Sequence, residues 1–159
     1  MPTADHSTMV VRPAEQRDVD GIRAIDAKVY PTPWSEQMTI DQTTGAGRLH
    51  YVIEENHRLV AHGGIAVLGD DAHVMTIAVD PKHQRRGLGD FLLRQLFAAA
   101  DANGCRGVTL EVRASNSAAI AMYEKHGMAS EGIRPRYYAD NGEDAIIMWS
   151  NSGGTETDA

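Results

Sequence analysis

The sequence predicts a mixed α/β domain of the α+β kind, built on a mostly antiparallel sheet of seven strands with flanking helices. Three observations carry this reading. The apolar period switches between two and 3.6 residues in the order strand, helix, helix, three strands, helix, strand, helix, two strands. The three consecutive β-rich runs are joined by turns too short for anything but antiparallel neighbours. A helix opened by glycines then separates the third run from a fourth, the pattern of a parallel crossover.

Each element has a local reason. Met9 to Arg12 is a strand stopped by Pro13, and Val19, Ile22, Ile25 and Val29 recur at helical spacing through Tyr30. Pro31 and Pro33 disfavour helix in the residues before them, and Ser35 is placed to cap a second helix reaching Thr43, ended by Gly45 and Gly47. Leu49 to Glu54 and Leu59 to Leu68 flank Glu55-Asn56-His57 as a hairpin. After Gly69-Asp70-Asp71, His73 to Val79 is the third meander strand, closed by Asp80-Pro81.

From Gly87 the period lengthens, and Leu88, Phe91, Leu92, Leu96, Ala99 and Ala100 line one face of a helix ending near Asn103-Gly104. Val108 to Val112 is a buried strand. Asn116 caps a helix through Tyr123 to His126, with Gly127 at its left-handed stop, and late strands lie near Ile133 and at Ala145 to Trp149. The expected domain is 9–149, with 1–8 and 150–159 as flexible ends, since neither end carries residues that anchor a core.

A chain of 159 residues is long enough to bury roughly 68–70% of its unfolded surface, and it has no room for a second full domain. Its 22 acidic against 15 basic residues give a net charge of −7, which excludes a broad basic footprint for duplex nucleic acid and favours a cationic partner. A single cysteine, Cys105, excludes an internal disulfide and fits a reducing compartment. No basic leader followed by an apolar run opens the chain and no 18-residue apolar stretch occurs, so a soluble, cytoplasmic protein without membrane contact is expected. The seven histidines show no ligand spacing, and no metal is expected. His73, His83 and His126 read as surface or packing residues.

The most informative stretch runs from Ile77 to Gly89, because it sets two glycines between a buried strand and a helix start. Glycines let the main chain approach an anion, successive amides form a nest, and the helix N-terminus adds roughly half a positive charge. The loop is not a phosphate-binding Walker loop, since no Gly-Lys-Ser/Thr follows, and it lacks the third glycine of the dinucleotide fingerprint. A plain glycine-tightened turn with exposed arginines fits the same spacing equally well.

Gln84-Arg85-Arg86-Gly87-Leu88-Gly89 resembles the Q/R-x-x-G-x-G/A signature of the GCN5-related N-acetyltransferase (GNAT) superfamily. Pro33-Trp34-Ser35, Leu110-Glu111-Val112-Arg113-Ala114-Ser115-Asn116, Ala121 to Gly127, Arg136-Tyr137-Tyr138 and Glu143 to Met148 resemble, in order, its bacterial ribosomal-protein-alanine N-acetyltransferase branch. The likeness spans Met9 to Trp149. It implies the GNAT fold with a splayed central strand pair, and acetyl-CoA as cosubstrate. Ile77, Ala78 and Val79 would place the pantetheine arm and thioester. Arg85, Arg86, Gly87, Leu88, Gly89 and Asp90 would hold the pyrophosphate, mainly through backbone amides, and Asn116 would contact the arm beyond the strand end.

The resemblance further implies Glu111 as proton acceptor, Tyr123 as proton donor, and direct transfer without a covalent enzyme intermediate. Taken alone, Glu111 reads as a solvated strand residue and Tyr123 as a half-buried helix residue. Trp34, Tyr137 and Tyr138 match the family's peptide-binding surface, where aromatics with polar tips pin an extended backbone; a core plug and a cross-strand pair are the plainer readings. The implied partner is the N-terminus of a ribosomal protein or another basic peptide, met by a monomer or weak dimer. A lysine side chain, a small-molecule amine, or an inactive acetyl-CoA-binding module are the competing readings. Two departures stand out: Met128 replaces an aromatic, and His73-Val74-Met75-Thr76 lacks the glutamate that many N-terminal acetyltransferases carry before the loop. The whole burden of proton removal then falls on Glu111.

Overall fold

A computed structural model describes residues 9–151. Seven strands are ordered β1-β2-β3-β4-β5-β7-β6: β1 (Met9–Pro13), β2 (Arg48–Glu55), β3 (Arg58–Leu68), β4 (Asp71–Val79), β5 (Gly107–Arg113), β6 (Ala129–Arg134) and β7 (Ala145–Asn151). Four α-helices accompany them: α1 (Val19–Val29), α2 (Glu36–Thr44), α3 (Leu88–Ala102) and α4 (Ser117–Lys125). β1 pairs antiparallel with β2 and β2 with β3. β4 runs parallel to β5 across the crossover, and the paired register ends after three residue pairs, at His73↔Thr109. The expected mixed sheet is therefore present.

Local chemistry explains the joints. Asn56 and His57 both adopt positive φ, 54° and 66°, as the two central residues of a hairpin turn matched to strand twist must. Ser35 accepts the amide of Met38 and Asn116 accepts that of Ala119, so both expected caps form. Gly127, at φ 90°, stops α4.

The chain divides into two compact units, 9–66 with 75–96 and 67–74 with 97–151. In the first, Ile53, Val60, Ala61, Leu88 and Leu92 form a buried cluster joined by Tyr51, Ile77 and Val79. The same unit holds a buried polar chain that sequence periodicity gave no reason to expect. Asp26 of α1 lies 2.7 Å from His62 Nε2, His62 Nδ1 lies 2.9 Å from His50 Nε2, and His50 Nδ1 lies 3.3 Å from Gln42 Nε2 of α2.

The direction of these bonds follows from their far end. Arg48 donates to Gln42 Oε1 at 2.8 Å, so the Gln42 amide nitrogen donates to Ile65 O and to His50 Nδ1. His50 then donates to His62, and His62 donates to Asp26. Both ring nitrogens of His50 and of His62 thus have partners, and the network ties both helices to the sheet.

In the second unit, β5 pairs with β7 along its whole length and β7 with β6. The indole of Trp149 lies where a Cβ on Gly107 would have to go, so β5 requires glycine there. β7 continues through Ser150 and Asn151, two residues past the expected boundary at Trp149. The pairing Val108↔Ser150 and Gly107↔Asn151 is made by the backbone and needs no apolar side chain. Segments 1–8 and 152–159 lie outside the described residues. Among the described residues, no helix is long and apolar enough to cross a membrane.

Candidate active site

In the first unit, β4 leads through Asp80 and a 3-10 turn (Pro81–His83) into the loop before α3. Asp80 accepts the Lys82 amide at 3.0 Å and the Lys28 ammonium at 3.1 Å, and the backbone bond comes first in holding its carboxyl below the usual range. Arg85 and Gly87 both take positive φ, 67° and 81°, which turns successive amides toward one side. The amides of Arg85, Gly87, Leu88 and Gly89 have no hydrogen-bond partner among the described residues. A Cβ on Gly87 would meet nothing within 4 Å, so the space over the loop is open. These amides at the head of the 15-residue helix α3 fit a diphosphate.

The arginines divide. Arg85 is exposed, whereas Arg86 turns back and grips Glu55 with both terminal nitrogens at 3.0 and 2.8 Å. The Arg86 guanidinium is thus held by Glu55. Upstream, the carbonyl of Ile77 accepts from Tyr30 Oη at 2.9 Å and that of Val79 from Gln84 Nε2 at 3.2 Å. Ala78 is buried, and Ile77 and Val79 are half-buried. Trp34, two residues before the first residue of α2, is also half-buried, short of a core plug.

The second unit gathers the titratable candidates. Glu111 on β5 is largely covered, its side chain 13% exposed, and its Oε1 lies 2.8 Å from His73 Nε2 of β4. Arg134 of β6 stands 3.4 Å from the other carboxylate oxygen. The Arg134 guanidinium lies 6.0 Å from the Tyr137 ring, Tyr137 meets Tyr138 edge to face at 5.1 Å, and Arg113 stacks on Tyr138 at 4.0 Å. Burial, first of all, raises the Tyr138 phenol above its ordinary value.

The loop bearing these tyrosines is pinned by charge. Arg113 bonds Asp140 at 2.9 and 3.1 Å, Glu143 accepts the Ser115 amide at 2.6 Å, and Asp144 accepts that of Arg136 at 3.0 Å. Those Ser115 bonds lead the effects that hold the Glu143 carboxyl down, to about 2. The structure thus brings Glu111, Tyr137 and Tyr138 into one cluster with Arg113 and Arg134. Asn116 is spent in part on its cap, and Tyr123 is half-buried on α4, its carbonyl accepting the amides of His126 and Met128.

Two residues exceed their sequence reading. His73, expected as surface or packing, is the hydrogen-bond partner of Glu111; its position two residues before Met75 on a β-rich run carried no signal of that. Arg134 had none either. Met128, which stands in place of the aromatic usual in the family that the sequence resembles, is buried. Cys105 is buried and burial pushes its thiol up, which suits no nucleophile. Among the described residues, no group of three or more His, Cys, Asp or Glu is placed to hold a metal ion.

Residues 19–128 match the model of the acetyltransferase (GNAT) family. The Escherichia coli (strain K12) protein named [ribosomal protein bS18]-alanine N-acetyltransferase is 40% identical over 136 residues, 84% of this chain and 91% of that protein. The N-alpha-acetyltransferase RimI of Mycobacterium tuberculosis is 34% identical over 95% of this chain and 98% of its own length. The crystal structure of the Escherichia coli ribosomal-protein-S18-alanine N-acetyltransferase superposes with a TM-score of 0.84 at 35% identity, covering 94% of this chain and 96% of that one.

Proposed function

The chain belongs to the acetyltransferase (GNAT) family, and we propose that it moves the acetyl group of acetyl-CoA to the N-terminal α-amine of a protein. The acceptor we infer is the N-terminal alanine of a small-subunit ribosomal protein, since the Escherichia coli relative is named for an alanine of ribosomal protein bS18 and the Mycobacterium tuberculosis relative is named an N-alpha-acetyltransferase. The single observation that carries the reading is the open, left-handed loop at Arg85 and Gly87 heading α3, with amides of Arg85, Gly87, Leu88 and Gly89 unpartnered among the described residues. A coenzyme diphosphate satisfies those donors.

Acetyl-CoA supplies an activated thioester when bound. Ile77, Ala78 and Val79 bind its arm, and an amide near Val79 supports the charge that develops on the carbonyl oxygen. An α-amine with an ordinary pKa near 7.7–8.0 is about a tenth or more neutral at neutral pH, whereas a lysine near 10.4 is neutral at well under 1%. A weak proton acceptor therefore suffices for the α-amine, and Glu111 takes that role. Tyr123 returns a proton to the departing thiolate. Trp34, Tyr137 and Tyr138 hold the peptide, and the net charge of −7 suits a basic one.

A synthetic peptide beginning with alanine tests this directly. Acetylation of that peptide, with none of an α-blocked copy bearing only lysine amines, is the expected result. Equal turnover of the two would refute the α-amine assignment.

A further inference from the structure

His73 is the last residue of β4 in register with β5, opposite Thr109, and Glu111 lies two residues farther along β5. Residues two apart on a strand share a face. The result is the 2.8 Å bond between His73 Nε2 and Glu111 Oε1. One proton must sit between these atoms. With Glu111 ionised, the proton is on Nε2, and this fixes the imidazole tautomer: Nδ1 carries a lone pair.

Nδ1 has no hydrogen-bond partner among the described residues, and the side chain is 26% exposed, so the lone pair is open to water or ligand. Glu111 is engaged at both oxygens, by His73 on Oε1 and by Arg134 on Oε2 at 3.4 Å. The charged and titratable groups facing this pair are therefore Glu111 from β5, Arg134 from β6 and Tyr138 from the loop after β6, the last through its interaction with Glu111.

We propose that His73 and Glu111 form one proton-accepting dyad, in which the proton lost by the attacking amine comes to rest on His73 Nδ1. The proposal rests on the acetyl-transfer reading above and relocates its proton. The amine N–H bond breaks, the nitrogen electron pair forms the new N–C bond to the acetyl carbon, and the thioester C–S bond breaks with its electron pair leaving on the coenzyme thiolate, which Tyr123 protonates. An Nδ1–H bond forms, directly or through one water, and gives an imidazolium opposite the Glu111 carboxylate. The dyad moves from net −1 to 0, and the proton then leaves through the exposed Nδ1. Glu111 orients the ring and offsets its charge, a division of labour familiar from carboxylate–histidine pairs.

The test compares kcat against pH, at saturating acetyl-CoA and alanine peptide, for the wild type, His73→Gln, His73→Ala and Glu111→Gln. Glutamine can still donate to Glu111 from its amide but accepts no second proton. Both His73 variants are expected to lose about tenfold or more in kcat, with KM for either substrate within about twofold. The pH profile of kcat in both His73 variants should differ from that of the wild type, and added imidazole should restore part of the His73→Ala rate. An acetyl-CoA thermal shift in each variant reports that the fold and cofactor binding persist. Wild-type kcat and an unchanged profile in His73→Gln, alongside a slow Glu111→Gln, would overturn the dyad and leave Glu111 as sole acceptor. Recovery of wild-type rate by His73→Gln but not His73→Ala reduces His73 to a holder of the carboxylate and also overturns it. A fast Glu111→Gln removes the acceptor assignment itself.

Discussion

His50 sets how this protein responds to mild acid. It is buried within the chain Asp26–His62–His50–Gln42, and burial, followed by the charge of His62, drives its pKa well below 6.5. Its Nδ1 already accepts from Gln42, so a proton there would face an amide that is itself donating. The native state therefore excludes a proton that the unfolded chain binds once the pH falls below about 6.5. Stability from this group is complete above that pH and is lost as the pH falls. Two pH units from 7.5 to 5.5 should cost about 1.4 kcal/mol from His50 alone.

The carboxyls held low by their partners, Asp18, Glu54, Asp80 and Glu143, give up their contributions only below about 4.5, outside this window. Urea unfolding at pH 7.5 and 5.5, for wild type and His50→Gln, reads the effect as a difference within each protein. The wild type should lose about 1.4 kcal/mol more than the variant across the two pH values. An equal loss in both, or none in the wild type, would refute the reasoning.

Gly64→Ala should sever the same chain, since a Cβ there overlaps His50 Nδ1 and comes within 2.6 Å of Gln42 Nε2; urea unfolding should show a loss of about 3 kcal/mol or more, from overpacking plus broken buried bonds. Gly87→Glu should abolish the thermal shift given by acetyl-CoA, because it forces a side chain onto a φ of 81° and sets a carboxylate beside the amide nest. Tyr123→Phe should slow transfer by about 10²-fold while the acetyl-CoA thermal shift persists, measured by steady-state turnover of the alanine peptide.

The order of elements was legible because each carries its own local signal. Asn56-His57 turns the hairpin, Ser35 and Asn116 cap their helices, and Gly127 stops α4. The loop was legible because two glycines between a strand and a helix have a backbone consequence. What stayed hidden was contact across strands and elements. Nothing in the spacing of His50 and His62, twelve residues apart, announces a bond of 2.9 Å between them. His73 and Glu111 are 38 residues apart, and their meeting depends on the β4–β5 register. The two residues past Trp149 escaped because composition reports side chains, whereas β7 is extended there by its backbone.

The central claim, acetyl transfer to a protein α-amine, is tested most directly by mass spectrometry of protein N-termini in cells with and without this gene. An N-terminal alanine on a small-subunit ribosomal protein should be acetylated only where the gene is present, with lysine acetylation unchanged. Identical N-termini in the two strains, or a difference confined to lysine side chains, would contradict it.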